Sequence, residues 1–225
     1  TCTQLALVKA INTVSKAVST RTTIPILKGI LMEVKDGRLT LSASDLDLSI
    51  ETSIDVQASE SGSAVVSSKL FSEIIRKLPN SLINISSEEG NINIKCIGSS
   101  FNIVALPAEE FPVIGGVESK NFIDINKEDV CDLIKKTVFA ASIDEKKGIL
   151  TGCLLDLKTG YIEAVALDGF RMAIVRKETS LSKEKTVIIP ASILNEIYKI
   201  LNEDEGSDQI SVLFEEKKAE FLTED

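Results

Sequence analysis

"ILTGCLLDLKTG", Ile149 to Gly160, matches an earlier stretch of the same chain, "ILKGILMEVKDG", Ile26 to Gly37, at six of its twelve positions. Sliding the chain against itself by 123 positions aligns the two stretches without a gap. The same offset aligns "VVSSKLFSEIIRKL" (65–78) with "IIPASILNEIYKIL" (188–201). Because one offset holds over separate segments, the chain contains two copies of one domain.

Each copy shows the same order of predicted helices and strands. Apolar residues at helical spacing predict a first helix over about residues 5–19 and, in the second copy, over about residues 127–142. A second helix is predicted to begin after Ser67 and after Pro190. "RLTLSA" and "DLSIETSI" alternate as half-buried strands do, and "VKDGR" and "LKTGY" place Gly where a hairpin turn needs a positive φ. The pattern predicts an α+β fold, with two helices packed on antiparallel sheets in each copy.

A linker separates the copies at "LPAEEFPVIGGVESK", Leu106 to Lys120, where two prolines and a Gly-Gly pair interrupt the periodicity. We therefore place the first domain at residues 1–118 and the second at residues 119–225. The second copy ends about one strand earlier than the first, which leaves the kind of open sheet edge that natural proteins avoid. We expect the second domain to be incomplete at its C-terminus and the chain to be a piece of a longer protein.

The composition limits the class of protein. The chain has 225 residues, of which 44% are hydrophobic and 26% charged, and this is typical of globular domains. No apolar run approaches the roughly 20 residues that cross a bilayer, and the N-terminus lacks the order of a secretory signal. We expect a cytoplasmic protein.

The chain has no His, and its four cysteines form no C-x-x-C pair. The usual zinc spacings and the Ser-His and Cys-His nucleophile pairs are therefore missing. Cys2, Cys96, Cys131 and Cys153 are expected to be buried free thiols. We predict no catalytic residue, no metal site and no cofactor.

The positive charges are concentrated on the predicted helices, although the formal net charge is -9. No acidic residue occurs between Leu5 and Ile24, and the acids concentrate in strands and loops. If the helices of both copies line one surface, that surface is basic and the outside is acidic, as in a protein that contacts phosphates. An ordinary solvated helix face is the alternative interpretation. The basic residues on or beside the predicted helices are Lys9, Lys16, Arg21, Lys69, Arg76 and Lys77 in the first copy, and Lys135, Lys136, Lys146, Lys147 and Lys199 in the second.

The chain resembles the bacterial sliding clamp family, the β subunit of DNA polymerase III. The resemblance rests on "AINTVSKAVSTRTTIPILKGILMEVKDGRLTLSASDLDLSIE", followed by "LPAEEFP", "ILTG" and "LDGFRMA", and it covers essentially the whole chain. Members of that family have three such domains, and two chains join head to tail as a homodimeric ring around duplex DNA. The resemblance implies that a third domain is absent from this chain. It also implies a processivity factor, a non-catalytic subunit of the polymerase.

The resemblance implies three functional surfaces. The helices would meet DNA phosphates without reading bases. The matching positions for this contact are Lys9, Arg21, Lys69, Arg76, Lys147 and Lys199. A hydrophobic pocket would receive linear peptides of the replicative polymerase α subunit, the clamp loader and repair proteins. Its matching positions are Leu150, Leu167, Gly169, Phe170, Arg171 and Met172. The dimer joint would pair an edge strand with the partner's third domain, at Ile74, Phe101 and Ile103.

The pocket departs from the family at two positions. The family often has Thr and His in its T-D-G-H-R turn, where this chain has Leu167 and Phe170. The rim of the pocket is therefore more apolar, and peptide selectivity is expected to differ.

Two other functions fit parts of the pattern. Duplicated domains that each present an aspartate, Asp45 and Asp168, are found in aspartic proteases, where two close acids share a proton. The local sequences "SDLDLS" and "LDGFRM" lack the Asp-Thr-Gly or Asp-Ser-Gly pattern of those enzymes. A trimeric clamp of two-domain chains, of the archaeal and eukaryotic kind, is the closer alternative, although the motifs are of the bacterial type.

Overall fold

The computed structural model describes residues 1–19, 22–115, 122–180, 184–215 and 218–223. These residues form two compact units, Thr1–Ile114 and Gly115–Asp225. Each unit contains two α-helices and antiparallel sheets, so the predicted α+β class is confirmed. The predicted boundary between residues 118 and 119 lies outside the described residues.

The first unit builds one antiparallel sheet of eight strands, in the order β1-β6-β7-β8-β5-β2-β3-β4. Its two α-helices pack against each other, and the inward side chains Leu7, Ile11, Phe71 and Ile75 are almost completely buried. In chain order the elements are β1 (Cys2–Thr3), α1 (Gln4–Val14), β2 (Gly29–Lys35), β3 (Arg38–Ser44), β4 (Ser49–Asp55), β5 (Gly62–Ser67), α2 (Ser68–Lys77), β6 (Leu82–Glu88), β7 (Asn91–Cys96) and β8 (Ser99–Leu106).

The second unit repeats these elements in two sheets, ordered β12-β11-β10-β13 and β15-β14-β9. In the first unit the strands that correspond to these two sheets form a single sheet. They are joined because β8 pairs with β7 and also with the end of β5. Among the described residues of the second unit, no strand makes this connection. The elements are β9 (Ile123–Asn126), α3 (Lys127–Thr137), β10 (Gly152–Lys158), β11 (Tyr161–Leu167), β12 (Met172–Glu178), β13 (Lys185–Pro190), α4 (Ala191–Glu203), β14 (Gln209–Phe214) and β15 (Ala219–Leu222).

The repeat holds in three dimensions. Gly29 lies opposite Ser67, and Gly152 lies opposite Pro190 at the same offset along the chain. A methyl group on Gly29 would collide with Val65, and one on Gly152 would lie 2.5 Å from Ile188 Cγ2. Both glycines are therefore required by a close strand contact, which explains why the two quoted stretches share them.

The hairpin glycines have the predicted conformation. In "VKDGR" Asp36 and Gly37 have φ of 51° and 77°, and in "LKTGY" Gly160 has φ of 91°. Lys35 pairs with Arg38 across the first turn, so the loop has two residues, as tight hairpins require.

The first helix of each unit is shorter than predicted. α1 ends at Val14 and α3 at Thr137, and each continues as a three-residue 3-10 turn. In α3 the buried hydroxyl of Thr137 donates to the carbonyl of Leu133 at 2.5 Å. Such a bond competes with the helical hydrogen bonds and weakens the next turn. The chain then leaves the helical conformation at Ala141, whose ψ is 153°.

The cysteines are free thiols, as predicted, but Cys131 is only half-buried. Burial raises the pKa of the Cys2, Cys131 and Cys153 thiols. Within the described parts of the chain, none of the helices has the length and apolar character needed to cross a membrane.

Candidate functional site

A tight turn joins β11 to β12 and carries most of the predicted peptide pocket. Oδ1 of Asp168 accepts the backbone N–H groups of Phe170 at 2.9 Å and of Arg171 at 3.1 Å. Arg171 Nε also donates to Asp168 Oδ2 at 3.0 Å. These backbone bonds, together with the guanidinium, lower the pKa of the Asp168 carboxyl group. Gly169 has φ of 95°, so the turn uses the freedom that glycine has at positive φ.

The turn presents apolar side chains to solvent. Phe170 and Met172 are exposed, while Leu167, which pairs with Met172 across the strands, is half-buried. The Arg171 guanidinium lies 5.8 Å from the centre of the Phe139 ring. The structure therefore brings five of the six predicted pocket residues together on one hairpin.

The sixth residue, Leu150, lies in the 3-10 segment Glu145–Thr151. Lys147 connects this segment to the hairpin, because its Nζ donates to the Asp168 carbonyl at 2.8 Å and lies 5.3 Å from the centre of the Phe170 ring. Lys147 is also one of the six predicted DNA-contact residues, and its ammonium group lies at the candidate peptide site.

Several exposed apolar residues near this site were missed in the sequence. Phe139 follows α3 in its 3-10 turn, Ile149 lies in the same segment as Leu150, and Ile174 lies on the edge strand β12. The ring of Phe139 is 60% exposed.

The candidate DNA residues of the first unit lie on its helix pair. Lys9, Lys69 and Arg76 are exposed, and Arg76 Nη2 donates to the neutral amide of Asn12 at 2.5 Å. Lys199 occupies on α4 the position of Arg76 on α2, and it pairs with Glu196 at 2.7 Å. Arg21 lies outside the described residues.

The first helix of the second unit is less basic than the charge pattern predicted. α3 carries Asp129 and Asp132, and the ammonium of Lys177 on β12 lies 3.0 and 2.9 Å from their carboxylates. Hydrogen bonds from Lys136 and Lys177 lower the pKa of Asp132 to about 2. Lys136 and Lys177, the cations next to these acids, are therefore largely compensated within the unit. None of the six predicted DNA-contact residues lies on α3.

The candidate joint lies along β8. From Ser99 to Val104 the strand pairs with β7, and its other edge has no partner among the described strands. Phe101 and Val104 are exposed, Ile74 is half-buried and Ile103 is buried. The side chain of Ile103 packs inside its own unit, so Ile103 can take part in the predicted edge pairing only through its backbone. Val104 is an exposed apolar residue of the same strand that was not predicted.

The two aspartates at equivalent positions of the repeat, Asp45 and Asp168, each stabilise a tight turn through hydrogen bonds to the backbone. Asp45 Oδ1 accepts the N–H groups of Asp47 and Leu48 at 3.0 and 2.7 Å, as Asp168 does in the second unit. The backbone N–H partners of Asp168 lower its pKa and so favour its charged form, whereas a protease dyad shares a proton between two acids. The aspartic protease alternative has no support in this geometry.

Comparison with known proteins identifies the relatives of the chain. The family models described as DNA polymerase III beta subunit, N-terminal domain and central domain, match residues 1–115 and 124–225. The beta sliding clamp of Halalkalibacterium halodurans is 37% identical over 211 residues, which cover 88% of this chain and 56% of that protein. The beta sliding clamp of Bacillus subtilis is 33% identical over 233 residues, covering 96% of this chain and 62% of that protein.

Solved structures agree with these matches. A DNA polymerase III beta subunit from Eubacterium rectale superimposes with a TM-score of 0.94 at 31% identity, over 99% of this chain and 61% of that chain. The sliding clamp of Bacillus subtilis gives 0.92 at 31% identity, over 98% and 60%. The chain thus spans less than two thirds of the length of these relatives.

Proposed function

This chain belongs to the DNA polymerase III beta subunit family, and from that membership we propose that it forms two domains of a ring-shaped sliding clamp. The ring would encircle duplex DNA without reading its sequence and tether the replicative polymerase and other cytoplasmic replication proteins. The role is a non-catalytic one. The complete clamp to which these two domains would belong would act as a homodimer.

The observation that carries the proposal is the exposed turn Asp168–Met172. An apolar peptide side chain that inserts beside Phe170 and Met172 loses contact with water, and burying one Leu or Phe contributes on the order of 2 kcal/mol. The carboxylate of Asp168 fixes the turn before a peptide arrives, so little ordering accompanies binding. Such a preformed apolar site suits a short linear motif of a polymerase or clamp loader.

The helix pairs support the second part of the proposal. Arg76 and Lys199 occupy equivalent positions in the repeat, on helices whose opposite faces are buried. Cations on solvated helix faces contact phosphates through flexible side chains and bridging water. Contacts of this kind hold DNA without fixing its register, as sliding requires.

The open edge of β8 supports the ring. Unpaired backbone groups from Ser99 to Val104 can continue the sheet into a neighbouring subunit, and Phe101 and Val104 add apolar area. We propose that the third domain of a partner chain pairs there.

Retention on circular DNA tests the proposal. The full-length protein, loaded by its clamp loader onto nicked circular duplex, should stay bound through gel filtration in high salt and leave when the circle is cut once. If the protein stayed bound after the circle was cut, or left intact circles as readily as cut ones, it would be binding DNA without encircling it, and the ring would be refuted. The mass of the full-length protein in solution distinguishes a dimer from a trimer.

A further inference from the structure

The helix pairs of the two units carry the same number of basic residues but different numbers of acids. α1 and α2 together have four basic residues and one acid, Glu73. α3 and α4 together have four basic residues and five acids. Because the two pairs occupy equivalent places in the repeat, the difference belongs to the side chains and not to the fold that the units share.

The acids of the second unit compensate most of its helix cations. Three of the four basic residues of α3 and α4 lie in ion pairs: Lys127 with Asp204 at 3.0 Å, Lys136 with Asp132 at 2.5 Å and Lys199 with Glu196 at 2.7 Å. In the described part of the first unit, none of the three basic residues of α2 forms an ion pair. A cation beside a carboxylate presents little net charge to a phosphate several ångströms away. The helix pair that keeps more of its positive charge is therefore that of the first unit.

Arg76 and Lys199 show this difference at one position of the repeat. Arg76 Nη2 donates across the helices to the side-chain carbonyl of Asn12 on α1, at 2.5 Å. The repeat places Lys135 at the position of Asn12 in the second unit, and an ammonium group has no acceptor to offer. The Lys199 ammonium instead donates to Glu196, three residues earlier on its own helix. A neutral partner thus holds one cation, and an acid compensates the other.

The amide of Asn12 orients the Arg76 guanidinium without reducing its charge. A guanidinium has five N–H donors, so one bond to Asn12 leaves the others for phosphate oxygens. Holding a long, exposed side chain in place also reduces the conformational entropy that is lost when it binds. Both effects favour a phosphate contact at Arg76.

We infer that the helix pair of the first unit carries most of the contact with duplex phosphates, through Arg76 with Asn12 as its positioning residue. In the second unit, Glu196 compensates Lys199 and weakens the equivalent contact. The inference rests on the proposed function, because it says which of two equivalent helix pairs holds the DNA. DNA inside the ring is then held firmly at the first unit and only loosely at the second.

Single substitutions at the equivalent positions test the inference. Binding of the full-length protein to a short labelled duplex is measured by fluorescence anisotropy over a series of salt concentrations. Arg76→Ser should lower the slope of log K against log salt concentration by about 0.9, the value for one phosphate contact. Lys199→Ser should lower the slope by less than half as much, because the Glu196 carboxylate already compensates the ammonium group.

Two further variants exchange the kinds of partner. Glu196→Gln should release the Lys199 ammonium and steepen the slope by up to about 0.9, a gain that a damaged fold cannot produce. Asn12→Asp should lower the slope as Arg76→Ser does, because a carboxylate then replaces the neutral acceptor. In the Arg76→Ser background, Asn12→Asp should have little further effect, since it acts through Arg76.

Urea unfolding separates positioning from folding. The variants change solvated side chains, so the free energy of unfolding should stay nearly constant while the salt slope moves. Equal slopes for Arg76→Ser and Lys199→Ser, or a slope that Glu196→Gln leaves unchanged, would overturn the inference. A full effect of Asn12→Asp in the Arg76→Ser background would overturn the positioning role.

Retention of the wild-type protein on circular DNA is measured alongside and decides the proposed function separately. It depends on encirclement and not on which helix pair meets the phosphates. A retained wild type with equal slopes for the two Ser variants would therefore overturn this inference and leave the proposed ring in place.

Discussion

Asp45 and Asp168 close the same turn in the two units. In each, one carboxylate oxygen accepts the N–H groups of the residues two and three positions later, at distances between 2.7 and 3.1 Å. The turns differ in the residue that follows the aspartate: Leu46 has φ of 82° in the first unit, and Gly169 has φ of 95° in the second. The equivalent turns allow matched variants, in which only the second unit carries the candidate peptide site.

Asp168→Ala should weaken binding of a partner-type peptide by roughly fivefold, because the turn loses two backbone hydrogen bonds and the partner of Arg171. Asp45→Ala in the first unit should leave peptide affinity unchanged. Calorimetry with a Leu-Phe-containing pentapeptide and the full-length protein measures both. An equal effect of the two variants would mean that the turn contributes only to folding.

The lowered pKa of the Asp168 carboxyl group predicts that peptide affinity depends on pH. The charged carboxylate stabilises the ordered turn fully above the ordinary aspartate pKa of about 4. This stabilisation is lost as the pH falls through the lower pKa of the folded state. Peptide affinity should therefore fall below pH of about 4 in the wild type. Asp168→Asn should remove this part of the pH dependence, as titration of affinity against pH will show.

Met172→Asp should abolish peptide binding in the full-length protein, because a charged group would have to lose its water when the apolar anchor inserts. The ring should stay assembled, since the candidate joint lies in the first unit. Leu46→Asp is the matched control, with 62% of its side chain exposed against 61% for Met172. Stimulation of the polymerase should follow peptide affinity. Normal stimulation by the Met172 variant would place the partner site elsewhere.

Arg76→Ser should weaken association of the full-length protein with DNA to a similar extent for all sequences. Loss of one phosphate contact should reduce the slope of log K against log salt concentration by about 0.9. Lys95→Ser removes one positive charge from strand β7 and should leave the slope unchanged. A loss confined to particular sequences would contradict a sliding role.

Gly29→Ala should lower the free energy of unfolding by about 1 to 3 kcal/mol, because its methyl group collides with the buried Val65. Gly152→Ala should cost less, because the colliding side chain of Ile188 is partly exposed and can move. Gly62→Ala is the control, since an added methyl group there meets no atom within 4 Å. Urea unfolding gives the three values. Equal stability of all three variants would contradict the close strand contact.

The sequence predicted the repeated parts of the fold well. The quoted stretches, their shared glycines and the two-residue hairpin at Asp36–Gly37 depend on neighbours along the chain or on the next strand. The helix ends were less predictable: the hydroxyl of Thr137 competes for a carbonyl inside the helix, and apolar periodicity does not register that competition.

The candidate site was predictable only in part. The hairpin Asp168–Met172 was found because its residues are consecutive and its turn has a recognisable glycine. The connection from Lys147 to the Asp168 carbonyl was not found, because it depends on how the 3-10 segment lies beside the hairpin. Phe101 and Ile103 lie on the same face of β8, but only Ile103 is buried, because other parts of the unit cover the strand there; alternation along the strand does not contain that information.

The sequence by itself therefore determined the duplication, the α+β class and the positions of the turns, since these follow from local periodicity and from one constant offset. The tertiary structure decided which charges remain available and which apolar residues stay exposed. Lys177 compensates Asp132 across a strand and a helix, and Ile149 is open where Ile26 is covered. The physical reason is that charge compensation and burial depend on atoms brought together from distant parts of the chain, and no local pattern contains that information.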